Sequence, residues 1–111
     1  MAKCCADTPL LTDAQIDESL GKLTAWNLSE DRKLISRAFV AKNFVSAMNF
    51  LNSAAEVAEA EGHHPDFHLT NYREVKIDVT THAIGGLAEI DMELAAKLDA
   101  IKVDYSPKSN N

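Results

Sequence analysis

The chain has 111 residues and carries 11 Lys and Arg against 17 Asp and Glu, which gives a formal net charge of −6. This length fits one domain with a single hydrophobic core, and an apolar content of 46% excludes wholesale disorder. The acidic balance argues against nucleic acid as a direct partner, because phosphate binding needs clustered Lys and Arg. The apolar runs are too short for a helix that crosses a membrane.

The two ends of the chain are predicted to be tails around one domain. Residues 1–9 are mixed in character, residues 105–111 contain a proline and end in polar residues, and nothing divides residues 10–104. Cys4 and Cys5 are adjacent, with no third cysteine to pair with, and no apolar signal segment precedes Leu10. These features predict a reducing, cytoplasmic location, with the nucleus kept as an alternative.

The first part of the chain predicts one helix and two strands. Thr12 and Gln15 have the spacing of a capping box at the start of a helix over residues 13–23. The apolar residues of this helix recur at helical spacing: Ile16, Leu20 and Leu23. Strands over residues 26–28 and 33–41 follow, separated by a polar turn.

The longest helix is predicted over residues 44–60, with Asn43 as its N-cap. Gly62 can end it in the left-handed conformation, and Pro65 prevents its continuation. One apolar stripe is expected to face the core: Phe44, Met48, Leu51, Ala55 and Ala58.

The second part of the chain predicts two more strands and a last helix. Strands are expected over residues 67–72 and 75–81, and the second alternates apolar and polar residues from Val75 onwards. A glycine pair breaks the chain before a helix over residues 91–102. Its apolar face contains Leu94, Leu98 and Ile101.

The element order is therefore α-β-β-α-β-β-α. Short connections inside each strand pair favour antiparallel hairpins, and three amphipathic helices must bury their stripes. We predict an α+β single domain in which three helices pack on one face of a four-stranded antiparallel sheet.

Three of the four histidines fall at the ends of predicted elements. His63 and His64 follow the long helix, and His82 follows a strand, whereas His68 is expected to face solvent from within a strand. Loop positions on a rigid scaffold often carry chemistry, and imidazoles give and take protons near neutral pH. The three element-end histidines are therefore candidate acid–base residues.

Two other interpretations stay open on spacing alone. A histidine at a helix C-terminus can interact only with the helix dipole and the last carbonyls, which would explain His63 or His64 without a function. Three histidines and a water form a known catalytic zinc geometry. Zinc is less favoured, because adjacent residues such as His63 and His64 rarely ligate one ion and no cysteine lies nearby.

Spaced features over residues 10–104 closely resemble the pterin-4a-carbinolamine dehydratase family. In chain order, these features are Glu59, His63-His64-Pro65, Tyr72, Thr81-His82, Gly86-Leu87 and Asp91. His64 and Tyr72 are 8 residues apart, Tyr72 and His82 are 10 apart, and His82 and Asp91 are 9 apart. Trp26 and the element order resemble the family as well. Two positions depart from the family pattern. Gly62 stands where some relatives carry Asp, and Ala88 replaces the Ser or Thr that usually opens the last helix, so the N-cap is expected to pass to Asp91.

The resemblance implies a hydro-lyase that dehydrates a 4a-hydroxytetrahydropterin to the quinonoid dihydropterin, in tetrahydrobiopterin recycling. Such a reaction needs a general acid and a general base acting together, and it needs no metal, redox cofactor or covalent nucleophile. We expect His63 and His82 to be the proton-transfer pair and His64 to share the acid role. Glu59 is expected to reach His63 or the pterin, and Asp91 to reach His82. The residues expected to shape the pocket and contact the pterin are Gly62, Pro65, Thr80 and Thr81.

The resemblance also implies partners. A homodimer or homotetramer is expected, with strand edges or apolar helix stripes as candidate interfaces. Members of the family also serve as dimerisation cofactors for a homeodomain transcription factor. A non-enzymatic scaffold for a transcription factor is therefore the alternative function.

Overall fold

A computed structural model describes residues 8–105 and shows the predicted element order, with one added turn of 3₁₀ helix. The helices are α1 (Asp13–Lys22), α2 (Phe44–Glu61) and α3 (Glu89–Asp99), and the 3₁₀ turn spans His82–Ile84. The strands are β1 (Asn27–Leu28), β2 (Ile35–Val40), β3 (Asp66–Thr70) and β4 (Glu74–Val79). The predicted α+β class is confirmed.

The four strands form one antiparallel sheet in the order β1-β2-β4-β3. The two sequence-local hairpins are joined through their inner strands, where Ile35 pairs with Val79 and Phe39 pairs with Val75. This central pairing places the end of β4, and with it the His82 loop, in the middle of the sheet rather than at an edge.

One face of the sheet is buried and the other is exposed, as the alternation along β4 predicts. The buried face carries Ile35, Phe39, Val75, Ile77 and Val79, all 5% exposed or less. The helices cover this face with their own apolar residues. None of the helices in the described part of the chain is long and apolar enough to cross a membrane.

One cation, Arg37, lies on the buried face of the sheet and is only 6% exposed. Its guanidinium donates to Asp99 Oδ1 at 2.9 Å and to the Tyr105 hydroxyl at 2.9 Å. Tyr105, assigned to the C-terminal tail on sequence, also forms an antiparallel bridge with Ala41. These contacts tie the chain beyond α3 to the sheet.

Local signals set most helix ends as predicted. Thr12 and Gln15 form the expected capping box, and the Asn43 side chain accepts from the Ser46 N–H at 2.8 Å. Gly62 ends α2 with φ of 69°, the left-handed conformation that favours glycine. The helix boundaries of α1 and α2 lie within one residue of those predicted.

The buried stripe of α2 differs from the predicted one. The helix buries Ala47, Phe50, Ala54 and Ala58, whereas Phe44 is 51% exposed and Met48 is 38% exposed. Around the helix axis, the buried stripe lies about a fifth of a turn away from the predicted stripe, at 3.6 residues per turn. The buried stripe has three alanines and one large side chain, Phe50, and the small alanines let the helix approach the sheet closely. The prediction for this face was therefore wrong for Phe44, Met48 and Ala55, while Ala58 is buried as predicted and Leu51 is half-buried against the core.

The start of α3 and the ends of the strands also differ from the predictions. The helix begins at Glu89 and ends at Asp99, and Ala88 rather than Asp91 occupies the N-cap position. Asp91 is the third helical residue, from which an acidic side chain reaches back to the N-cap N–H. The hairpin strands are shorter than predicted because their turns contain left-handed residues: Arg32, Asn71 and Tyr72.

Candidate active site

The C-terminal ends of α2 and β4 meet the first turn of α3 at a buried histidine. His63 follows the left-handed Gly62, its backbone N–H donates to Ala58 O at 3.2 Å, and its side chain is only 4% exposed. The chain reversal at Gly62 turns this imidazole inward, toward α3. Because a buried polar ring needs partners, the contacts of His63 define the site.

Asp91 is the partner of His63. The Nε2–H of His63 donates to Asp91 Oδ1 at 2.6 Å, and the carboxylate is fully buried. The other oxygen, Oδ2, accepts from the Thr81 hydroxyl at 2.7 Å and from the Ala88 N–H at 2.8 Å. Three donors on one buried carboxylate satisfy an ionised group, and the bonds to charged groups are the strong ones.

The second ring nitrogen of His63, Nδ1, has no hydrogen-bond partner among residues 8–105. Among residues 8–105, Asp78 Oδ1 is the one buried side-chain nitrogen or oxygen atom without a hydrogen bond. Nδ1 of His63 is not such an atom, so it keeps a slight contact with solvent although the side chain as a whole is only 4% exposed. In a neutral imidazole with its proton on Nε2, Nδ1 carries a free lone pair. In that form the ring bonds to Asp91 through Nε2, and the described residues leave the Nδ1 lone pair unused.

His64 lies on the surface beside Glu59. Its Nε2 is 3.0 Å from Glu59 Oε1, and the two side chains are 67% and 78% exposed. The expected contact of Glu59 with His63 was wrong, because helical i, i+4 geometry no longer holds beyond the turn at Gly62. Glu59 instead reaches the next histidine along the chain.

His82 is exposed and opens the 3₁₀ turn. Its imidazole makes no hydrogen bond to the residues that the structure describes, so the expected contact of Asp91 with His82 was also wrong. Its neighbour Thr81 nevertheless bonds to Asp91. His82 is thus one residue along the chain from the network that holds His63.

The remaining predicted site residues have distinct environments. Thr81 is fully buried, which leaves it no surface for a bound molecule. The Thr80 hydroxyl donates to Lys33 O at 2.5 Å. Gly62 acts as the helix cap, and Pro65 is half-buried at the entry to β3. These residues shape the loops that carry the histidines.

Two further features bear on the chemistry. His68 lies in β3 as predicted, is 49% exposed, and bonds to Asp78 at 2.9 Å on the open face of the sheet. Among residues 8–105, no three His, Cys, Asp or Glu side chains come close enough together to hold a metal ion. Cys4 and Cys5, which the sequence assigns to the N-terminal tail, lie outside these residues.

The pairing of Asp91 with His63 was missed on sequence, although a signal for it was available. Asp91, Leu94 and Leu98 are spaced three and four residues apart, which puts Asp91 on the buried stripe of α3. A carboxylate in such a stripe must have buried partners. That argument predicts a buried network around Asp91, although it does not choose between His63 and His82.

Comparison with known proteins bears on the activity. A family model for pterin 4 alpha carbinolamine dehydratase matches residues 9–101. A mitochondrial pterin-4-alpha-carbinolamine dehydratase 2 from Arabidopsis thaliana is 39% identical over 100 residues, 88% of this chain and 54% of the relative. The chain thus spans about half the length of that relative.

The match to this chain extends over almost the whole length of two other relatives. One from Nostoc punctiforme, in the same family, is 41% identical over 95 residues, 86% of this chain and 99% of the relative. A solved structure from Brucella melitensis, described as a transcriptional coactivator/pterin dehydratase, is 34% identical with a TM-score of 0.77 and covers 83% of this chain and 97% of that one. With its fold and family match together, the chain belongs to the pterin-4-alpha-carbinolamine dehydratase family.

Proposed function

We propose that the chain dehydrates a 4a-hydroxytetrahydropterin to the quinonoid dihydropterin by histidine general acid–base catalysis, as a step of tetrahydrobiopterin recycling. The family match supports the reaction class. The observation that carries the histidine mechanism is the buried His63–Asp91 pair, which the Thr81 hydroxyl joins to the segment that carries His82. The cytoplasmic location expected on sequence belongs to this proposal.

The chemistry matches the residues that meet at this site. The bond between C4a and the hydroxyl oxygen breaks, N5 loses its proton, and a double bond forms between N5 and C4a while water leaves. The oxygen needs a proton, because hydroxide is a poor leaving group, and N5 needs a base. The dehydration involves no oxidation or reduction of the pterin by another molecule, so acid–base groups are sufficient.

His63 is suited to accept the proton from N5. Its Nδ1 makes no hydrogen bond to the described residues, and the bond from Nε2 to Asp91 favours the tautomer with the proton on Nε2. When Nδ1 takes the proton, the adjacent buried carboxylate stabilises the imidazolium that forms, as the carboxylate does in a Ser-His-Asp triad. The exposed His82 and His64 then supply the proton to the leaving oxygen, with Glu59 holding His64.

The direct test is a stopped-flow measurement of carbinolamine decay. A 4a-hydroxytetrahydropterin loses water slowly on its own, so added protein should accelerate its decay in proportion to protein concentration. The double variant His63→Ala, His82→Ala serves as the matched protein control. Decay that wild-type protein does not accelerate would refute the proposal.

A homodimer or homotetramer is part of the proposal. The edge strands β1 and β3 have unpaired backbone groups, and α2 exposes Phe44, Val45 and Met48 at 51%, 64% and 38%. Exposed apolar side chains beside one another are typical of protein contact surfaces. Sedimentation velocity of wild-type protein and of Met48→Glu should show an assembly that the substitution weakens, and a wild-type monomer at all concentrations would contradict this part.

A scaffold role for a transcription factor is the second candidate function. The description of the Brucella melitensis neighbour as a transcriptional coactivator/pterin dehydratase favours it. The surface that carries it is the exposed face of α2, which lies apart from His63. Pulldown of a homeodomain transcription factor should then survive His63→Ala and His82→Ala but not Met48→Glu. Loss of binding in the histidine variants would contradict a separate scaffold surface.

A further inference from the structure

Thr81 is a buried polar residue that takes no part in proton transfer itself. It follows β4, has no exposed surface, and its hydroxyl donates to Asp91 Oδ2 at 2.7 Å. A threonine in a core needs one acceptor, and any backbone carbonyl could supply it. Here the acceptor is the carboxylate that holds His63.

The geometry at Asp91 divides its two oxygens between two tasks. Oδ2 accepts both the Thr81 hydroxyl and the Ala88 N–H, at 2.7 and 2.8 Å. Oδ1 accepts the Nε2–H of His63 at 2.6 Å. Two donors on one oxygen restrict rotation of the carboxylate, so the other oxygen stays aimed at the imidazole.

The backbone of Thr81 also holds the His82 loop. Its N–H donates to Gly86 O at 2.9 Å, and its carbonyl accepts from the Ile84 N–H at 3.2 Å. The same residue therefore bonds to the partner of His63 through its side chain and closes the loop of His82 through its main chain. The two tasks use different atoms, so a substitution can separate them.

We propose that Thr81 is a positioning residue for the acid–base site. Its hydroxyl orients Asp91, Asp91 keeps the proton of His63 on Nε2, and Nδ1 is thereby left free toward the substrate. The effect on rate rests on the proposed dehydratase function. The effect on the His63 ring does not, because it follows from the hydrogen bonds alone.

The competing explanation is that Thr81 only fills space and satisfies a buried hydroxyl. Under that explanation, loss of the hydroxyl lowers the resistance to unfolding but changes neither the tautomer of His63 nor the turnover rate of folded protein. Under the positioning role, both change while substrate binding is nearly kept. The tautomer and the split between kcat and KM therefore separate the two.

The experiment compares Thr81→Val, Thr81→Ser and wild-type protein. Valine has the shape of threonine and keeps both backbone bonds but cannot donate to Asp91, whereas serine keeps the donor. Thr70→Val, on the exposed face of β3, makes the same chemical change away from the site. Long-range ¹H–¹⁵N NMR of the imidazoles reports the tautomer of His63, and stopped-flow rates give kcat and KM.

We expect wild-type protein, Thr81→Ser and Thr70→Val to hold His63 with its proton on Nε2, and Thr81→Val to show a mixture of tautomers. We expect kcat of Thr81→Val to fall by about 10-fold, the scale of residues that orient a functional group, with KM within about two-fold of wild type. If Thr81→Val does not fold, Thr81→Ala takes its place in the same comparison.

Wild-type His63 signals and kcat in the folded variant without the hydroxyl would overturn the proposal. So would an altered tautomer with unchanged kcat, or a serine variant as impaired as the valine variant. If wild-type protein shows no dehydratase activity, the proposed function fails, and the imidazole spectra alone still decide whether Thr81 orients the pair of Asp91 and His63.

Discussion

Asp91 is the residue on which the site depends most. It lies on the buried stripe of α3, where taking a carboxylate out of water costs several kcal/mol unless donors surround it. Three donors do so, from three different segments: His63, Thr81 and Ala88. The same bonds that satisfy the charge restrict the orientation of the His63 ring.

The substitution Asp91→Asn tests this dependence. Asparagine keeps the shape but removes the charge, and its amide cannot accept from His63 and from both other donors at once. We expect a fall in kcat of about 10²-fold or more, because an uncharged partner no longer stabilises the imidazolium. We also expect a loss of about 1–3 kcal/mol in the free energy of unfolding. Stopped-flow kinetics and urea unfolding measure the two.

The control for this prediction is Asp78→Asn. Asp78 bonds to His68 on the open face of the sheet and is a carboxylate–histidine pair outside the site. The substitution Asp78→Asn should leave kcat unchanged. Equal losses of activity in the two variants would show that the effect of Asp91 is not specific to the His63 network.

Glu59 gives a second prediction at the scale of the residue. Glu59 and His64 form an exposed pair, and exposed ion pairs contribute about 0–1 kcal/mol to stability. Glu59→Gln should therefore leave the unfolding free energy nearly unchanged. If His64 donates a proton in the reaction, the substitution should change the pH–rate profile more than KM.

A double variant makes that test sharper. In a His64→Ala background, Glu59→Gln should have no further effect on the profile, because its partner is gone. Glu56→Gln, exposed on the same helix, serves as the control for loss of one charge. A profile that shifts equally in the His64→Ala background would mean that Glu59 acts on the substrate directly.

At the scale of the element, packing of α2 against the sheet depends on alanines. Ala54 is fully buried, and the adjacent Ala55 is exposed. Ala54→Leu should lower the free energy of unfolding by about 1–3 kcal/mol, because extra methylenes do not fit a close helix–sheet contact. Ala55→Leu should change it by no more than about 0.5 kcal/mol. Urea unfolding of the two variants compares the same substitution on neighbouring faces, and the reverse order would mean that the helix packs through the stripe expected on sequence.

The elements show what can be predicted from one sequence and what cannot. Helix starts and stops are local, so the Thr12 capping box, Asn43 and Gly62 could be recognised from a few neighbouring residues. The face that α2 buries depends on how closely the sheet approaches, which hydrophobicity alone does not reveal. The large Phe44 and Met48 therefore misled the prediction.

The site follows the same division. The three histidines could be singled out because element ends are visible in the sequence. Their partners could not, because His63 and Asp91 are 28 residues apart and meet only through the pairing of β2 with β4 and the packing of α3. Both carboxylates were expected at the site, and each bonds to a different histidine from the one predicted.

At the scale of the whole molecule, the reaction is expected to proceed without metal. The proposed dehydration is proton transfer alone, and residues 8–105 contain no group of three metal-ligating side chains. Dialysis against a strong chelator should leave the rate of carbinolamine decay unchanged. A large loss of rate that added zinc restores would contradict this expectation, and circular dichroism before and after dialysis controls for unfolding.

In the proposed mechanism, the whole fold brings two histidines that are distant in sequence to one reaction. His63 ends the α2 segment and His82 follows β4, 19 residues later, and the Asp91–Thr81 contact joins these two ends. The leaving oxygen and N5 are neighbours on one pterin ring, so the donor and the acceptor must act on the same bound molecule. Residues that serve one step in this way are strongly non-additive.

Measurement of kcat for His63→Ala, His82→Ala and the double variant tests this account most directly. Because His63 is buried, His63→Gln, whose amide can still donate to Asp91, accompanies the alanine variant, and circular dichroism checks the fold of each protein. The account predicts a loss of about 10²-fold or more in each single variant, and a loss in the double variant far below the product of the two. Near-wild-type rates in both single variants, or losses that multiply, would contradict it.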